Sequence, residues 1–172
     1  MKKVIYSLCA AITVIFLIFG IKYTYAFNRV ASCTVQDILS ETALLANSIE
    51  NDFSANPIPE EIFINRSLGF PSEIYANRLL SELEIYTHMY RKNLPNLTNI
   101  AEDARILIQT VKYSNDPQSG IELLKELNGI IKLYKSDNSE HTRKYFIEKD
   151  REILENSNYR GLHDKISRYI HN

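Results

Sequence analysis

The sequence predicts an all-α protein: an N-terminal transmembrane or signal helix followed by a single extracytoplasmic bundle of five to six helices. Three observations predict it. The run from Val4 to Ile21 carries no formal charge and follows Lys2 and Lys3. At ~1.5 Å per residue it covers most of a ~30 Å hydrocarbon core. Beyond it, apolar residues recur at three- and four-residue spacing between turns marked by proline and asparagine, and strand-type alternation never exceeds four residues.

The leading positives predict that the N-terminus stays inside and the rest is exported. Residues 1–26 read as a membrane anchor or signal peptide. Thr24-Tyr25-Ala26 offers a small-x-small site before Phe27, but the apolar run is longer than a signal needs, and Lys22 sits where an uncharged segment is usual. The anchor is therefore the favoured reading, the cleaved signal its alternative. Residues 27–33 read as a juxtamembrane linker ending in Val30-Ala31-Ser32-Cys33, which loosely fits a lipoprotein processing site. Cys33 is thus a candidate for lipidation or an intermolecular disulfide.

Residues 34–172 read as one helical domain. Thr34 is the expected N-cap of a first helix, with Val35, Ile38, Leu39, Leu45, Ala46 and Ile49 at helical spacing as far as Phe53. The segment Ser54–Pro71 is the least regular and holds three of the five prolines. Its apolar residues Ile58, Ile62, Phe63, Leu68 and Phe70 exceed what a solvated connector needs. They form the candidate partner surface, although covering the end of the bundle explains them too.

A long helix follows from Ser72 to about Asn93, with Tyr75, Leu79, Leu83, Tyr86 and Tyr90 in one stripe. Leu94-Pro95 ends it. Thr98 is the expected cap of the next helix, whose apolar face is Ile100, Ala104, Leu107, Ile108 and Val111, with Glu102 and Asp103 in its solvent-facing first turn. After the turn Asn115-Asp116-Pro117, a helix from Gln118 to Lys135 carries Ile121, Leu124, Leu127, Ile131 and Tyr134. A charged helix Glu140–Asn156 turns only Phe146, Ile147, Ile153 and Leu154 inward. The last helix, Asn158–Ile170, uses Tyr159, Leu162, Ile166, Tyr169 and Ile170.

Chemistry is sparse. A net charge of −1 gives no field for nucleic acid. Cys9 lies in the apolar run, leaving Cys33 alone in the exported part, so no internal disulfide framework is expected. His163 and His171 share a helix face but stand about two turns, ~12 Å, apart, too far for one metal. His141, with Tyr145, Glu148 and Glu152 along its face, is the sole histidine cluster worth naming for catalysis, and a solvated face explains it better. Five glycines and no G-x-S-x-G or phosphate loop argue against nucleotide chemistry. Asn65-Arg66-Ser67 and Asn96-Leu97-Thr98 match the glycosylation pattern at chance level.

No catalytic residue, cofactor or metal is therefore expected, and enzyme activity is the less favoured reading. The expectation is a protein tethered in the plasma membrane through residues 4–21 that binds an envelope partner as a secretion, pilus, immunity or exclusion accessory. The alternatives are a secreted or periplasmic helical hydrolase and an envelope lipoprotein held at Cys33.

Overall fold

The computed structural model describes the backbone of 2–53, 70–90, 94–134, 143–156 and 158–171; within these, the side chains of 2–11, 28, 31–33, 143–146, 154 and 156 fall outside the description. Among the described residues every regular element is helical. They are α1 (Lys2–Phe53), α2 (Pro71–Tyr90), α3 (Pro95–Tyr113), α4 (Pro117–Ile131) with a 3-10 turn at Lys132–Tyr134, α5 (Arg143–Asn156) and α6 (Tyr159–His171).

The first element corrects the sequence reading. No linker interrupts 27–33 and no helix begins at Thr34: α1 runs unbroken from Lys2 to Phe53. The physical reason is plain in the chain. After Gly20 neither glycine nor proline occurs before Pro57, so nothing stops a helix once it has formed. Thr34 does not cap; its hydroxyl donates back to the Val30 carbonyl at 3.1 Å, as a threonine does in mid-helix.

The C-terminal part of α1 is one of four helices that run alternately up and down. Phe27 meets Tyr90, Thr34 meets Met89, and Asp52 meets Ser72, which makes α1 and α2 antiparallel along their length. Glu73 at the start of α2 pairs with Lys112 at the end of α3, so that pair is antiparallel as well. Asp116 caps α4 by accepting from the Ser119 amide at 3.2 Å, and Pro117 sits in its first turn. Lys132, just past α4, reaches back to Glu50 of α1 at 2.8 Å and closes the ring. The short connections 91–94 and 114–116 force the alternation of α2, α3 and α4.

The core lies between these four helices. Ile38, Leu45 and Ile49 of α1 face Ala76, Leu79, Leu83 and Tyr86 of α2, Leu97, Ala104 and Leu107 of α3, and Leu124, Leu127 and Ile131 of α4, all buried. The sequence stripes identified nearly all of them. α6 lays Tyr159, Leu162 and Ile166 over α3 and α4, and α5 adds Ile153. Gly120 marks the tightest approach: a Cβ there would lie 2.5 Å from both the Tyr169 hydroxyl and a Val111 methyl. Tyr169 uses that room to donate to the Asp116 carbonyl at 2.8 Å.

Three further expectations change. α3 begins at Pro95, three residues before Thr98, whose hydroxyl instead donates to the Leu94 carbonyl at 2.9 Å. Asp103, expected in solvent, is buried at 6 % exposure. Phe70, expected in the partner surface, is also buried, its ring 5.0 Å from that of Phe53 and under the Lys112 ammonium. It seals the end of the bundle. The other four residues of that surface, Ile58, Ile62, Phe63 and Leu68, lie outside the described residues, as does His141.

Candidate functional site

Three places in the molecule hold more than packing requires. The first is the N-terminal part of α1. From Ile12 to Tyr25 every side chain of this helix is exposed among the described residues, and the apolar ones point outward on every side. Phe16 is 73 % exposed, Phe19 68 % and Ile21 69 %. Around Gly20 the helix has a shallow notch bordered by Thr13, Phe16, Leu17, Thr24 and Tyr25. A helix apolar all round has no water-facing side. Among the described residues no helix is long and apolar enough to cross a membrane. The apolar run of the sequence begins at Val4, eight residues before the first described side chain. Lys22, Tyr23 and Tyr25 follow it, all exposed. Phe27, half-buried, is the first residue to join the bundle, with its ring 5.6 Å from that of Tyr90.

The second is a buried polar hub built around Asp150, which is 4 % exposed. α3 starts at Pro95 without a local side-chain cap, because Leu94 occupies the N-cap position. Its orphan amides are satisfied from α5: Asp150 Oδ1 accepts from the Leu97 amide at 2.8 Å, and Oδ2 accepts from the Asn96 amide at 3.4 Å and the Asn96 side chain at 3.2 Å. The Tyr134 hydroxyl donates to Oδ1 at 2.9 Å, and the Asn96 side chain also donates to the Asp150 carbonyl at 2.8 Å. Burial drives the Asp150 carboxyl above its ordinary range; the bonds from Leu97, Tyr134 and Asn96 pull it back but do not outweigh desolvation. The same environment drives the Tyr134 phenol upward, first through burial and then through the adjacent Asp150. Among the described residues every partner of the Asp150 carboxylate is a donor, and the hub acts as a structural lock. A second carboxylate acts the same way: Asp52 at the end of α1 accepts from the Ser72 amide at 3.0 Å and caps α2.

The third is the trio Asp103, Tyr159 and His163. Asp103 Oδ2 accepts from the Tyr159 hydroxyl at 2.8 Å and lies 2.8 Å from His163 Nδ1. Burial and the Asp103 carboxylate push the Tyr159 phenol upward. The imidazole is half-exposed, so this is a carboxylate orienting a histidine, as an acid–base pair requires. The nearest hollow in sequence terms, at Thr110, Tyr113, Ser114, Asp116 and Tyr169, does not include His163. Among the described residues no three His, Cys, Asp or Glu side chains gather as a metal site would need.

Beside these runs a groove between α1 and α4. One end is lined by Thr42, Ala43, Ala46 and Ile131, the other, of about 300 Å³, by Ile49, Phe53, Lys125, Asn128 and Gly129. Asn128 is 6 % exposed and its Oδ1 has no hydrogen-bond partner among the described residues. Above Gly129 the space is open.

Residue patterns did not reveal the hub or the trio, because a charged residue on a helix reads as solvated. One signal for the hub was present: Leu94-Pro95 opens a helix with no local acceptor, so its amides needed a distant one. No family model matches the chain, and neither a curated protein nor a solved structure is significantly similar to it.

Proposed function

We propose that the protein is an envelope binding or accessory factor tethered to the plasma membrane by residues 4–21, its helical domain lying outside the cytoplasm. The observation that carries the tether is the contrast within α1: from Ile12 to Ile21 the apolar side chains are exposed on all faces. In water that surface is unsatisfied; in lipid it is the ordinary state of a spanning helix. Lys2 and Lys3 before the run support the outward direction of the domain.

Helix continuity favours the anchor over the cleaved signal. The bond after Ala26 lies inside α1, and Phe27 is already packed on Tyr90. It argues equally against lipidation at Cys33, which stands twelve helical residues beyond Ile21, or about 18 Å. Partner binding is supported by the open groove over Asn128 and Gly129, together with the apolar segment Ile58–Leu68 of the sequence. The hydrolase alternative now has a better candidate than His141 in His163 with Asp103.

The test joins topology to binding. A periplasm-dependent reporter at the C-terminus is expected to be active, and crosslinking in intact membranes is expected to trap a defined envelope protein. Gly129→Trp, whose Cβ enters open space and whose ring occupies the groove, is expected to abolish that crosslink while the bundle still unfolds cooperatively. A C-terminus found in the cytosol rules the proposal out.

A further inference from the structure

We propose that α1 is a rigid shaft that stands the bundle upright on phospholipid headgroups, with Lys22, Tyr23, Tyr25 and Arg29 as the collar that meets their phosphates. The inference rests on the membrane reading above and goes further, since a tether alone allows a bundle swinging on a flexible linker. The structure removes that linker. α1 passes from Ile21 to Phe53 with no glycine or proline to hinge it. The bundle grips it early: Phe27 touches Tyr90, and the Thr34 hydroxyl contacts Met89 Sδ at 3.8 Å. Only six residues, about 9 Å of helix, separate Ile21 from the first contact with α2. The free length is too short to bend without breaking hydrogen bonds.

The chemistry of that short stretch suits an interface. Tyr23 and Tyr25 are exposed, amphipathic rings at the end of an apolar run, the place where aromatic belts sit. The Tyr23 and Phe27 rings stack at 6.5 Å, continuing the apolar surface to the edge of the bundle. Lys22 and Arg29 are exposed, and α1 carries no acid between Ile21 and Asp37. A phosphate layer is thus met by cations and tyrosines, while the acids Asp37 and Glu41 begin higher up. A consequence follows for the opposite pole. Phe53 lies thirty-two residues beyond Ile21, so the end sealed by Phe53 and Phe70 stands about 48 Å above the hydrocarbon boundary. A partner that docks there must itself reach that height.

The experiment uses the full chain with Cys9→Ser and Cys33→Ser, reconstituted in vesicles of phosphatidylethanolamine and phosphatidylglycerol, with a spin label at Tyr25→Cys or Asn47→Cys. Headgroup-chelated gadolinium is expected to relax the label at position 25 strongly. The label at 47 is expected to show a narrow distance distribution centred about 30–35 Å from the headgroup layer. Val30→Pro, which kinks the shaft, is expected to broaden that distribution. A broad or short distance at 47 while position 25 stays at the headgroups overturns the rigid shaft and leaves the tether standing. Failure of the chain to float with the vesicles at all overturns the membrane reading itself.

Discussion

On the membrane reading proposed above, the two halves of α1 are the same helix in two solvents. Beyond Thr34 the helix is amphipathic: Val35, Ile38, Leu45, Ala46 and Ile49 are buried, while Gln36, Asp37, Asn47 and Glu50 face out. From Ile12 to Ile21 its apolar side chains are exposed on all faces, and no described residue of the bundle covers them. Backbone geometry does not distinguish them, because a helix satisfies its own amides wherever it lies. The side chains do. The distal half gains stability by packing one face, about 1.5–3 kcal/mol per large side chain buried. The proximal half can gain it only from an environment as apolar as itself. Continuity between them means that whatever holds the first half also positions the second.

The comparison breaks most visibly if the proximal half is made polar. Ile15→Lys with Phe19→Lys is expected to release the protein from membranes entirely while the bundle keeps its melting temperature, because neither residue touches the core; fractionation and thermal melting check both. The converse change, Leu45→Ala in the distal half, is expected to lower unfolding free energy by about 2–5 kcal/mol through the cavity it leaves, with membrane association unaffected. Next comes the buried Asp150 hub that ties α5 to the start of α3 and to Tyr134. Asp150→Ala strands two α3 amides and the Tyr134 hydroxyl, with an expected loss of about 2–4 kcal/mol in urea unfolding.

Smaller effects sharpen the picture inside the bundle. Gly120→Ala is expected to cost about 1–3 kcal/mol, since its Cβ would meet Val111 and Tyr169. Gly129→Ala, in open space on the same helix, is expected to stabilise by about 0.5–1 kcal/mol. One helix thus carries two glycines of opposite meaning, and a pair of melting curves separates them.

The smallest expected effect concerns pH. Burial raises the Glu73 carboxyl, but the Lys112 and Gln109 side chains outweigh it, and its folded value falls below the ordinary 4.5. A depressed folded value means stability present above 4.5 and lost as pH falls through the folded value. Asp150 has the opposite sign: raised above 3.8, its contribution is present below that and fades as pH rises through the folded value. Glu73→Gln is therefore expected to destabilise at neutral pH, with the gap from the unmutated protein narrowing below the carboxylate range. Urea midpoints in both conditions check it.

What could be read from the residues divides along physical lines. Helix stripes such as Tyr75-Leu79-Leu83-Tyr86-Tyr90 were legible because burial selects apolar side chains at 3.6-residue spacing. The turn at Asn115-Asp116-Pro117 was legible because proline and a capping aspartate act locally. The continuity of 27–33 was misread, although the absence of any breaker there was in plain view. Asp103 and Asp150 were invisible for a different reason: a buried carboxylate is defined by partners more than fifty residues away, Tyr159 and His163 for one, Asn96 and Leu97 for the other. Local pattern carries no trace of such pairs.

The most direct test of the two-solvent helix is the intact mass of the protein recovered from carbonate-washed membranes. The account predicts one species, retained in the membrane and uncut after Ala26, with shaft and bundle on a single chain. A soluble protein beginning at Phe27 would contradict it.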